Sequence, residues 1–267
     1  HAADNSFTDC EGCPRMVVVP SGSFMMGGKP NAPLAFNPEP DETPRRQVTI
    51  QSFAIGKFEV TQAEWQALMG ENPSDYVTGD GRLPVETVSW YDAQEFLRRL
   101  SAKSGRLYRL PTEAEWEFAS RGGKDKLTYT WGNEKTPDGK WLANIWQGSF
   151  PNGNTLQDGF KLQSPVGKFA ANGYGLFDMA GNVWEWTSDW YMPDYYAKSP
   201  KQNPQGPQES YDPNEPGVWK RITRGGSYLC TEVYCWGYRP AMRMKTSPDT
   251  GLNHTGFRCV RSGTRAG

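Results

Sequence analysis

Hydrophobic and polar positions follow regular patterns only in the first half of this chain. Met16-Val-Val-Val-Pro20 is a continuous apolar run of strand type, and the Ser21–Gly28 stretch after it, with three Gly, reads as a turn. A Pro-rich excursion from Lys29 to Pro44 reads as a surface loop, and residues 47–55 and 58–60 carry strand character. Three helices are then predicted from their caps and apolar spacing. Thr61 with Glu64 forms a capping box ahead of Trp65, Leu68 and Met69. Ser89 with Asp92 opens a longer helix, with Ala93, Phe96, Leu97 and Leu100 on one face and Gly105 as its stop. Thr112 with Glu115 opens a third, with Trp116 and Ala119 facing inward. Beyond Arg121-Gly-Gly123 no long helical period follows. Short runs of Gly, Asn, Asp and aromatic residues take over, and no repeat of solenoid or propeller length is present. The first 15 residues are polar and read as an arm that Cys10 or Cys13 pins down.

Composition sharpens this picture through what is scarce. Among 267 residues there are 29 Gly, 21 Pro, 11 Trp, 12 Tyr and 12 Phe, but two His, one of them the first residue. Only His254 can readily serve a site that needs imidazole, which excludes three-His zinc, two-His-one-carboxylate iron and two-His protease centres. Metal chemistry here must use thiolates, carboxylates and carbonyls. Lys plus Arg number 29 against 30 Asp plus Glu, a net charge of −1, so nucleic-acid and membrane-surface binding have no electrostatic support. The apolar runs are far shorter than the ~20 residues of a membrane-spanning helix. The first residue is His, which reads as a processed or truncated form. Five Cys, two of them as Cys10-Glu-Gly-Cys13, lean toward an oxidising compartment, exported or periplasmic, with a cytoplasmic location as the alternative.

Three segments carry candidate chemistry, all in the loop-rich half. Residues 144–160, with Asn144 and Asp158, present side-chain oxygens on irregular backbone; they suit a hard cation such as calcium or a chain of Asn/Asp-Gly turns. Residues 172–186 place Asp178 and Glu185 seven apart around a Gly181-Asn182 turn, which would close a second oxygen cage or simply set two Trp in the core. In Arg224-Gly-Gly-Ser227-Tyr-Leu-Cys230-Thr-Glu-Val-Tyr-Cys235, two thiols five residues apart can bind a soft metal, form a disulfide, or be buried singly. With no His at hand, a two-coordinate thiolate site suits copper(I), whereas zinc demands two further ligands.

These segments, with Leu110-Pro-Thr-Glu-Ala-Glu-Trp-Glu117, Trp131-Gly-Asn133 and Gly256-Phe-Arg-Cys259, make the sequence from about Met16 to Arg261 resemble the formylglycine-generating enzymes, or sulfatase-modifying factors. The resemblance implies an α+β fold of C-type-lectin-like architecture, one domain over residues 16–262 with low regular secondary structure, and a tail at 263–267. It implies two structural calcium ions: one on Asn144, the Ile145 carbonyl, Asp158 and the Phe160 carbonyl, the other on Asp178, Glu185 and the carbonyls of Gly181 and Val183. It further implies a copper-dependent oxidase, with copper(I) held by Cys230 and Cys235, Ser227 beside the dioxygen site and Trp184 in the pocket wall. The substrate would be a protein or peptide cysteine in a Cys-x-Pro-x-Arg setting, oxidised to formylglycine by a monomer that needs no nucleic acid and no membrane.

The sequence departs from the family where it touches the cysteines. Thr231-Glu-Val-Tyr234 replaces the family's more basic stretch, Trp236 follows Cys235, and His254 stands where Asn is frequent. The acidic Glu232 and bulky Trp236 therefore allow a second expectation: an exported, calcium-binding paralogue with Cys230 and Cys235 as a disulfide, for example in periplasmic maturation of a peptide siderophore of the pyoverdine type. A lectin-like binding module using the aromatic surface is a third. Cys259 is expected to pair or pack structurally, with Cys10–Cys13, or a bond from either to Cys259, as the open pairings.

Overall fold

The computed structural model describes residues 5–28, 39–125, 127–231 and 235–262. The first four residues with His1, most of the Pro-rich excursion, Glu232 and the 263–267 tail lie outside the described residues. The chain runs β1 (Ser6–Phe7), β2 (Met16–Val19), β3 (Gly22–Met26), β4 (Arg46–Ile50), β5 (Phe53–Gly56), α1 (Gln62–Met69), α2 (Trp90–Ser104), β6 (Tyr108–Arg109), α3 (Glu113–Ser120), β7 (Trp184–Trp190), α4 (Tyr195–Lys198), β8 (Arg221–Arg224), β9 (Met244–Thr246), β10 (Thr255–Gly256) and β11 (Val260–Ser262). The three long helices open where their caps predict, each with a complete capping box, at Thr61/Glu64, Ser89/Asp92 and Thr112/Glu115.

Strands are where the sequence reading errs. Ser21–Gly28 is not a simple turn: Gly22–Met26 forms β3 against β4, because Phe24 and Met26 alternate into the core while Ser23 and Met25 do not. The 47–55 run is two strands in different sheets, broken at Gln51-Ser52, and 58–60 is irregular. Of the Pro-rich excursion, residues 40–42 form a short 3₁₀ turn at the surface, with Pro40 exposed, that is anchored inward by the fully buried Glu42 on Arg239. The polar start of the chain contributes β1, which pairs antiparallel with β2, and Cys10 is disulfide-bonded to Cys13.

A five-stranded antiparallel sheet, ordered β1-β2-β5-β11-β6, divides the core. Met16 and Ala54 face one cluster with Trp65, Phe96 and Phe257. Val17, Val19, Phe53 and Ile55, one residue out of step, face another with Trp116 and Phe118 of α3. Cys259 is a free thiol buried in the first cluster, so it packs and does not pair. The second sheet, β10-β7-β8-β9, is antiparallel except where β10 runs parallel to β7. It carries the candidate site at one end, where a third cluster gathers Tyr129, Ile145, Trp184, Cys230, Cys235 and Tyr238. Among the described residues no helix is long and apolar enough to cross a membrane.

Candidate functional site

The cysteine segment leaves β8 through Gly225 and Gly226, both left-handed. A side chain at Gly226 would sit 2.6 Å from the Tyr238 backbone nitrogen, so this turn requires glycine. Ser227 follows, its main-chain N–H donating to Cys230 Sγ at 3.4 Å and its hydroxyl accepting from the Leu229 N–H at 3.2 Å. Cys230 and Cys235 are joined as a disulfide with Cα atoms 4.7 Å apart, and both are buried. Trp184, at the start of β7, shares their cluster; its ring covers Gly237 so closely that a Cβ there would overlap it. Tyr129 stacks between Trp131 (5.1 Å between centroids) and Tyr238 (6.0 Å), and Trp236 tilts against Tyr238 at 6.1 Å. The expected Cys230, Cys235, Ser227 and Trp184 thus lie together, walled by aromatic rings. His254 is present through its backbone: its carbonyl accepts from the Trp184 N–H at 2.7 Å, and burial lowers its imidazole pKa.

The first oxygen-rich loop closes on Asp158. Its carboxylate accepts from the N–H of Ile145 at 3.0 Å and of Phe160 at 2.9 Å, which draws three of the four expected ligands together. The fourth, Asn144, donates its Nδ2 to the Leu162 carbonyl at 2.8 Å, which leaves its buried Oδ1 without a partner. Gln147 was missed by sequence reasoning. Its Nε2 sits where the Ile145 carbonyl and Asp158 Oδ2 converge, and would have to yield to a cation.

The second loop is braced by residues outside it. Glu185 is held by Arg258 (Nε to Oε1 2.6 Å, a second nitrogen to Oε2 3.0 Å) and by the Trp116 indole at 3.0 Å. Asp178 accepts from the Gly167 N–H at 2.9 Å through Oδ2, while its buried Oδ1 has no partner; burial pushes its pKa up to about 6. Glu59, fully buried, accepts from the Val183 N–H at 3.3 Å, and its pKa is driven well up by burial and then by Glu185 and Asp178. Three buried carboxylates therefore share one buried guanidinium, an excess of negative charge that a divalent cation would balance. Glu59 and Arg258 also escaped the sequence reading, although Arg258 lies within Gly256-Phe-Arg-Cys259. Among the described residues no three His, Cys, Asp or Glu side chains form a metal cage by themselves. Either loop would need amide or main-chain oxygens beside its carboxylates; the unpartnered Asn144 Oδ1 is such an amide oxygen, and Asp178 Oδ1 is a carboxylate oxygen left without a partner.

The two loops and the cysteine segment touch directly. Asn144 bridges Gly181, the Gly181 N–H donates to the Gly225 carbonyl at 2.7 Å, and the Trp146 N–H donates to the Cys230 carbonyl at 2.8 Å.

A sulfatase-modifying factor enzyme 1-like domain is matched over residues 2–263. The formylglycine-generating enzyme of Thermomonospora curvata is 39% identical, the match covering 92% of this chain and 92% of its own length. That of Mycobacterium tuberculosis is 43% identical, covering 92% of this chain and 97% of its own. Among solved structures, PvdO from Pseudomonas aeruginosa superposes with a TM-score of 0.77 at 27% identity, over 97% of this chain and 98% of that one.

Proposed function

The chain belongs to the sulfatase-modifying factor family, and from that membership we propose that it oxidises a cysteine of a protein or peptide substrate, of Cys-x-Pro-x-Arg type, to formylglycine. The observation that carries this reading is the pair Cys230 and Cys235, buried side by side under Trp184. Reduced, the two thiols would hold copper(I), whose affinity for soft sulfur matches a site without imidazole. Copper(I) so held would supply the one-electron chemistry with dioxygen that side chains lack. The protein's own part is positional. The Ser227 N–H hydrogen-bonds the Cys230 sulfur, Gly237 admits the Trp184 ring, and the rings of Tyr129, Trp184 and Tyr238 keep the sulfurs out of bulk water. Two calcium ions on the loops described above would brace the scaffold. Anaerobic titration of the reduced protein with copper(I) against a competing chelator tests this. One tightly held copper is expected, lost in both Cys230→Ser and Cys235→Ser; unchanged binding in those variants refutes the centre.

A second reading is favoured by the disulfide itself and by the likeness to PvdO. In it the chain is an exported paralogue that keeps the Cys230–Cys235 bond and matures an exported peptide, such as a siderophore, without formylglycine formation. The two disulfides accord with an oxidising compartment. Exposure of the reduced, copper-loaded protein to a Cys-x-Pro-x-Arg peptide separates the readings: an aldehyde captured by hydrazide supports the first, an unchanged peptide the second.

A further inference from the structure

Asn182 lies where three segments meet, and all its polar atoms are engaged. It is fully buried and left-handed, with φ of 65°. Its main-chain N–H donates to the Asn144 carbonyl and its carbonyl accepts from the Tyr228 N–H, both at 2.9 Å. Its Oδ1 accepts from the Ser164 N–H at 2.9 Å and from Asn144 Nδ2 at 3.3 Å. Its Nδ2 donates to Glu59 Oε1 at 2.8 Å and to the Ser164 carbonyl at 3.1 Å. These partners fix both amides in one sense. Asn144 Nδ2 donates to the Leu162 carbonyl at 2.8 Å and to Asn182 Oδ1 and Ser164 Oγ, both at 3.3 Å, which leaves Oδ1 as the unpartnered atom open to an ion. Asn182 Nδ2 must likewise face the Glu59 carboxylate, which also receives the Val183 N–H. Orienting the Asn144 oxygen therefore orients Asn182, and with it the backbone of Gly181 and Val183, the carbonyl donors expected for the second ion.

We propose that Asn182 is a positioning residue that couples the two cation loops, so that an ion in one raises the affinity of the other. This rests on the calcium reading above. The first ion bears the ordering cost of a shared segment, and the second binds a segment already ordered. The Tyr228 hydrogen bond extends the same network to the residue next to Ser227 in the cysteine segment.

Calorimetric titration of the metal-free full chain with calcium chloride tests the coupling. The wild type is expected to take up two ions with positive cooperativity. Asp158→Ala, which removes a ligand from the first loop alone, is expected to weaken the second by about 5- to 150-fold. Asn182→Gly accepts the left-handed backbone and keeps the main-chain bonds while deleting the amide. It is expected to lower both affinities about 10- to 100-fold, and in its background Asp158→Ala leaves the second loop unchanged. Two ions bound independently, or a second loop untouched by Asp158→Ala in the otherwise wild-type chain, overturns the coupling and leaves the calcium reading standing. No calcium uptake by the wild type overturns both. Should Asn182→Gly fail to fold by circular dichroism, the wild-type and Asp158→Ala titrations still decide.

Discussion

Some buried carboxylates in this molecule are only partly compensated by their surroundings. Asp189 is the clearest case away from the candidate site. Its Oδ1 accepts the Glu113 N–H at 3.0 Å at the start of α3, and burial, then the Glu113 charge, pushes its pKa up to about 7. A carboxyl whose pKa is higher folded than unfolded binds its proton more tightly in the native state. Its contribution is full below the unfolded value of about 4 and is lost as pH rises through 7. Denaturant melts at pH 4.5 and 8 should therefore show the wild type losing about 2 to 4 kcal/mol relative to Asp189→Asn over that interval; parallel curves would remove Asp189 from the account. At Gly237 the governing effect is space. Gly237→Ala forces the Trp184 ring to move and is expected to cost about 1–3 kcal/mol in thermal or chemical melts; on the copper centre proposed above, copper(I) affinity falls with it.

Elements announced by local chemistry were legible in the sequence, and elements that depend on distant partners were not. The helix starts could be read because a cap and its box lie within three residues of each other. Glu115 shows how a cap is then reused: it accepts from the Thr112 N–H at 2.9 Å and clasps Arg109 through both oxygens, at 2.6 and 2.8 Å. Glu115→Ala should lower stability by about 1–3 kcal/mol, more than Glu64→Ala in α1, whose side chain serves only its own cap; equilibrium denaturation of the pair checks this. By contrast, β3 hid behind its glycines because only pairing with β4 reveals Phe24 and Met26 as an alternating face. The same limit applies at the candidate site. Asn144, Asp158, Asp178 and Glu185 stood out by type and spacing, whereas Glu59 and Arg258 reach the second loop from 123 and 76 residues away from Asn182 and no local pattern marks them.

At the scale of the whole molecule, loop-rich sequence is held by side chains and backbone bonds bridging the two sheets, and ions bound to the native state alone would add to that hold. Calcium at 100 times its dissociation constant should stabilise the fold by about 2.7 kcal/mol per independent site, read as a rise in melting temperature that a chelator reverses. The arrangement of the strands also bears on how the protein is made. β11, from late in the sequence, lies between β5 and β6 in the five-stranded sheet, and the neighbouring Arg258 is the cation that offsets Glu185. Strands β1, β2 and β5 can therefore form a partial sheet early, but the sheet cannot close, nor the second loop lose its charge repulsion, until about 200 further residues have emerged. Such a closing contact is long-range and slow. Until the segment around residue 260 is free to dock, β5 keeps an unpaired edge and Glu185 lacks the guanidinium that offsets its buried charge.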